Sequence, residues 1–85
     1  MQMSSDAIRL AIRGFVSRFF RGHELQDEED MFATGYVNSM FAMQLVQFVE
    51  TQFGFAVESD DLELDNFRSI AAIARLVERK LAAGR

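Results

Sequence analysis

Ser39 carries the hydroxyl whose surroundings most invite chemistry. It follows Asn38 and precedes a run of strong helix formers, MFAMQLVQFVETQF. A polar oxygen at such a helix start accepts one of the first-turn N–H groups that lack a partner inside the helix. Ser39 is therefore either a cap or a point of attachment. It is not the nucleophile of a self-sufficient hydrolase, because no general base stands at a recognisable spacing from it. The single histidine, His23, reads as a surface residue, and cysteine is absent. Any thiol chemistry must come from an attached group, and neither a disulfide framework nor a thiolate metal site can form. The acidic clusters do not make a calcium site. An EF-hand loop starting at Asp60 would place Leu62, Asp65 and Ala71 where an oxygen ligand, a glycine and a bidentate glutamate are required. No metal is expected. Phosphate-binding glycine loops and the H-E-x-x-H pattern are also missing.

The helix after Ser39 has more apolar surface than one core contact needs. On a wheel of about 100° per residue, Ala42, Leu45, Val46, Val49 and Phe53 share an arc and form the expected core face. Met40 points nearly the opposite way, near Gln44, Gln47 and Thr51, with Met43 and Glu50 on one flank and Phe41 and Phe48 on the other. A surface helix is usually polar opposite its core. Methionine and uncharged glutamine there, beside Ser39, read as a docking face, since methionine suits adaptable binding surfaces. The expected partner-binding residues are Asn38, Met40, Phe41, Met43, Gln44, Gln47 and Glu50, with Asp60 and Asp61 from the acidic segment beyond. For Phe41 and Phe48, packing under the preceding loop is the other place open to them.

The remaining pattern predicts three long helices and a short one, over about 5–20, 39–53, 59–64 and 69–82, in a single all-α domain of 85 residues. Ser4 or Ser5 caps the first, whose core positions are Ile8, Ala11, Ile12, Phe15 and Phe19, joined by Val16. Gly14 inside that helix marks a place where another element comes close. Residues 21–38 form a long loop, with Gly22 as the preceding helix's C-cap and Leu25, Met31, Phe32 and Tyr36 as apolar plugs. Gly54 closes the second helix, Ser59 caps the short one, and Ser69 caps the last, whose core side is Ile70, Ile73, Ala74, Val77 and Leu81. An arginine-rich first helix also fits an organelle presequence or a membrane-surface helix, but the other helices would then lack a packing partner.

Charge is segregated. Residues 1–21 carry a balance of +3, residues 22–65 hold eleven carboxylates and no Lys or Arg, and residues 66–85 carry +4. The acidic block brackets the serine helix, repels nucleic acid phosphates and attracts basic protein surfaces. A solvated acidic face is the plainer reading of the same residues. Apolar residues make up 49% of the chain, with nine phenylalanines, which excludes a disordered chain. No apolar run approaches the roughly 18 residues of a membrane span. The expectation is a cytoplasmic monomer with no nucleic acid or membrane partner.

The segment GYVNSM and the helix behind it resemble the serine motif of acyl and peptidyl carrier proteins, in which a glycine precedes a (D/N)-S-(L/M) run. The likeness covers most of the chain, including NFRSIAAIARLV, which is similar to the F-x-(S/T)-I start of the closing carrier-protein helix. It implies a four-helix carrier fold and no enzyme activity. It also implies that a phosphopantetheinyl transferase, with coenzyme A and Mg²⁺, places 4′-phosphopantetheine on Ser39. The arm's thiol would hold an acyl or aminoacyl group as a thioester for a loading enzyme, an acyltransferase or a ketosynthase. Asn38 stands where most members have aspartate, and Phe41 where many have a polar or acidic residue. With VNSMFAMQLVQFVE, these departures look most like free-standing polyketide-pathway carriers of unusual extender or amino-acid starter units. The rivals are an unmodified helical adaptor and a fatty-acid-pathway carrier.

Overall fold

A computed structural model describes residues 4–20, 24–33 and 38–83. Its α-helices are α1 (Ser5–Val16), α2 (Ser39–Phe53), α3 (Leu64–Phe67) and α4 (Ile70–Ala83), with one 3-10 turn at Ser59–Asp61. Three helices are long and one is short, and no strand occurs among the described residues. Local chemistry sets most boundaries. Ser4 Oγ accepts the Ala7 N–H at 3.1 Å. Gly54 adopts φ 73° and closes α2 by donating its N–H to Glu50 O, a left-handed position that glycine takes without steric cost. Ser69 Oγ accepts the Ala72 N–H at 3.0 Å.

Two helical expectations are corrected. The first helix stops at Val16, not near residue 20. The Ser17 hydroxyl bonds the Arg13 carbonyl, which also accepts the Ser17 N–H at 2.9 Å. The chain then tightens into i→i−3 bonds, Phe19 N–H to Val16 O at 2.9 Å among them. Tightening turns Phe20 inward and leaves Phe19, an expected core residue, 38% exposed. The segment expected to be one short helix over 59–64 instead divides into the 3-10 turn and α3. Glu58, not Ser59, is the N-cap of the turn, and its N–H donates to Asp61 Oδ2 at 3.0 Å.

The core is built from Ile8, Ile12 and Val16 of α1, Phe41, Leu45, Val49 and Phe53 of α2, and Ile70, Ile73, Ala74, Leu76 and Val77 of α4. The α4 helix is buried more widely than a single stripe, Ala71 and Ala72 included, while Leu81 is only half-buried. The long loop supplies part of that cover. Leu25 and Met31 are buried and Phe32 packs half-buried against the core. The Asp27 carbonyl accepts the Ala71 N–H at 2.9 Å, and the Met31 N–H donates to the Arg68 carbonyl at 2.6 Å. From α1, Arg13 reaches the Leu25 carbonyl at 2.6 Å and the Asp27 carboxylate, which Arg9 also pairs at 3.2 Å. Gly14 marks no close approach among the described residues, because a Cβ built on it meets none of them within 4 Å. Tyr36, His23 and Gly22, and the glycine half of the GYVNSM segment, lie outside the described residues.

Candidate functional site

The start of α2 separates two roles that one serine cannot hold together. Asn38 has extended backbone (φ −136°, ψ −174°), and its Oδ1 accepts the Phe41 N–H at 3.0 Å. Asn38 O also accepts the Ala42 N–H at 3.1 Å. Asn38 is thus the cap, and Ser39 is the first residue of the helix proper, exposed to solvent. Its hydroxyl is not used to close the helix start. The first-turn N–H groups and the helix dipole favour an anion at this end, and α2 has no acidic residue in its first turn to occupy that field.

From Ser39 an open apolar surface extends along α2. Met40 is 66% and Met43 72% exposed, with Gln44 and Gln47 exposed beside them. A groove of 880 Å³ is lined on α2 by Met40, Ala42, Met43, Gln44, Val46, Gln47 and Glu50, and by Leu62 from the connection beyond the 3-10 turn. Ala42 and Val46, expected in the core, are half-buried and line this groove, Val46 while also packing against the core. The buried stripe lies rotated toward Phe41, because the larger ring finds partners from three directions. Phe19 meets it edge-on at 4.9 Å between centroids, Phe20 at 6.1 Å and Phe32 at 6.4 Å.

Phe41, expected among the partner-facing residues, is therefore a core residue at 4% exposure. Phe48 is half-buried and stacks on Phe15 at 4.4 Å and 14°. Glu50 is turned toward its own chain, its Oε2 accepting the Val57 N–H at 2.8 Å. Asp60 is exposed, but Asp61 is paired with Lys80 at 2.8 Å. The Lys80 ammonium, helped by the Glu58 N–H, holds the Asp61 carboxyl below its ordinary 3.8, and Asp61 in turn raises Lys80 above 10.5. Sequence patterning missed Ala42, Val46 and Leu62 as groove residues. The exposure of Leu62 next to a carboxylate cluster gave no periodic signal that could have found it.

Among the described residues no group of three or more His, Cys, Asp or Glu side chains is placed to hold a metal ion, and no helix is long and apolar enough to cross a membrane. A helical bundle that leaves one serine outside the cap of an open-faced helix, uncharged from Ser39 to Val49, has the layout of a carrier domain. Comparison with known proteins agrees. The family model described as "Phosphopantetheine attachment site" matches residues 8–77, and the chain belongs to that family. It is a carrier protein that bears covalent 4′-phosphopantetheine and does not itself catalyse a reaction; carrier domains of this kind are served by phosphopantetheinyl transferases and biosynthetic enzymes. The fold is similar to that of a holo acyl carrier protein from Nitrosomonas europaea, with a TM-score of 0.69 and 22% identity, over 95% of this chain and 99% of that one. No curated protein matches the sequence.

Proposed function

We propose that Ser39 is the residue that receives 4′-phosphopantetheine, and that the chain serves as one discrete carrier domain in a polyketide or related secondary-metabolite pathway of the cytoplasm. The observation that carries the site is the division of labour between Asn38 and Ser39. Asn38 closes the helix through the Phe41 N–H, so the neighbouring hydroxyl can be esterified without uncapping α2. When bound, the group supplies a terminal thiol that holds an acyl or aminoacyl unit as a thioester. The chain's own residues do three things around it. Ser39 anchors the phosphodiester, the start of α2 stabilises its negative charge, and the Met40/Met43 face meets the enzyme that acts on the cargo. Linking the cargo to a docked domain raises its effective concentration at each active site.

The partner face of this reading consists of Asn38, Met40, Met43, Gln44 and Gln47, to which it adds the exposed Asp60; Phe41, buried, has no part in it. Between Ser39 and Val49 no residue is charged, so association relies on apolar contact more than on ion pairs. A loading enzyme, an acyltransferase and a ketosynthase are the partners this reading assigns. The polyketide assignment rests on the resemblance of VNSMFAMQLVQFVE to discrete carriers of unusual units.

Intact mass after coexpression with a broad-specificity phosphopantetheinyl transferase tests the site. The expected result is one added phosphopantetheine, abolished by Ser39→Ala. An unmodified chain would favour a helical adaptor that uses the same face.

A further inference from the structure

The 3-10 turn at Ser59–Asp61 buries no side chain, and Leu62 after it is 56% exposed. Apolar anchors flank it, at Val57 before and Phe67 after, and within the turn itself the holding contacts are polar ties. Three of them converge on it from the two long helices that flank it. Lys80 of α4 pairs with Asp61 at 2.8 Å and approaches Glu58 at 3.9 Å. Arg79 holds Asn66 Oδ1 at 3.2 Å, and Asn66 Nδ2 donates to the Asp61 carbonyl at 2.9 Å. Glu50 of α2 holds the Val57 N–H at 2.8 Å. Lys80 and Asp61 make the tightest side-chain tie, and both are shielded, with side chains 21% and 18% exposed. Lys80 also lies 6.0 Å from the Phe55 ring centroid, so its ammonium has a fixed seat.

Among the described residues, Leu62 is the one that lines the groove without belonging to α2. Its backbone follows directly from Asp61, and its N–H bonds the Ser59 carbonyl at 3.2 Å. We infer that Lys80 is a positioning residue for the groove beside Ser39: by holding Asp61 and Glu58 it fixes the Ser59–Asp61 turn and sets Leu62 opposite the methionines of α2. The width of the groove is thereby governed from the last helix, through a residue that never touches it. What the groove serves rests on the carrier reading above, but the clamp itself does not.

The test uses the full chain with Lys80→Met, which keeps the aliphatic stem and removes the charge, and Lys80→Arg, which keeps the charge. Hydrogen exchange of the Asp61 and Leu62 amides should quicken about two- to fivefold in Lys80→Met, the range of a partly shielded ion pair. The Ile73 and Leu76 amides of the core should keep their rates, and Lys80→Arg should restore Asp61 and Leu62. Methyl resonances of Leu62 and Met43 should move together in Lys80→Met while those of Leu45 stay in place. Unchanged exchange at Leu62, an equal rise at Ile73, or failure of arginine to restore the rates would each overturn the assignment. Every reading is made on unmodified protein, so a chain that keeps this pattern yet gains no phosphopantetheine would retain the clamp and lose the carrier site.

Discussion

Asn38 Oδ1 lies 3.0 Å from the Phe41 nitrogen, and that one bond ties the start of the serine helix to the aromatic core. Between cap and core, Ser39 and Met40 remain outside both, and Ser39 carries the free hydroxyl. Removing its hydroxyl should leave stability nearly unchanged, within about 0.5 kcal/mol for an exposed position with no structural bond. Asn38→Ala should cost about 1 kcal/mol, a fall in Tm of about 4–8 °C for a domain of this size. Thermal unfolding of the two variants side by side checks the difference. Equal losses would mean that Ser39 shares in capping.

Phe41 and Met40 are neighbours with opposite fates, one buried and one 66% exposed. Phe41→Ala should lower unfolding free energy by about 3–5 kcal/mol, the usual cost of emptying a buried aromatic site. Met40→Ala should change it by under about 0.5 kcal/mol while slowing reactions that require docking on α2. Urea unfolding reads the first effect, and transferase kinetics at limiting carrier concentration read the second. A stability loss at Met40 comparable to that at Phe41 would return the methionine to the core.

How much of this was legible in the sequence divides by range. Ser4, Gly54 and Ser69 were readable because a cap depends on residues three or four positions away. The fold class followed from helical periodicity for the same reason. The side to which Phe41 turned was not readable, since its ring partners, Phe15, Phe19, Phe20 and Phe32, come from other elements. The same holds for Asp61, which by sequence belongs to an acidic partner surface and in the fold pairs with Lys80 from α4. The end of α1 escaped because Ser17 back-bonds a carbonyl of its own helix, a choice that hydrophobic spacing does not record.

Gly14 offers a stabilising substitution. It lies inside α1 with open space where a Cβ would go, and it does not adopt positive φ. Gly14→Ala should therefore stabilise the chain by about 0.5–1 kcal/mol, chiefly by restricting the unfolded state. Chemical denaturation measures it. A loss of stability would show that some element does approach this face of α1.

Acid should undo the loop before the core. The Arg13 guanidinium, joined by Arg9, holds the Asp27 carboxyl below its ordinary 3.8, and Lys80 does the same for Asp61. Carboxyls depressed in the folded state contribute stability that is fully present above the ordinary aspartate value. That contribution is lost as pH falls below 3.8 through the lower folded values. Urea midpoints followed from about pH 6 to about pH 2.5 should decline over that interval. Asp27→Asn should start lower at neutral pH and decline less steeply, whereas an unchanged slope would show that the Arg13–Asp27 pair contributes nothing to the acid limb.

The central claim is the covalent use of one hydroxyl, and peptide-level mass spectrometry tests it most directly. Protein modified by a competent phosphopantetheinyl transferase is digested, and the fragment carrying the added group is sequenced. The account predicts a single phosphopantetheine on Ser39, complete in the wild type and absent in Ser39→Ala. The same group found on any other residue, or none after exhaustive reaction of folded protein, would contradict it.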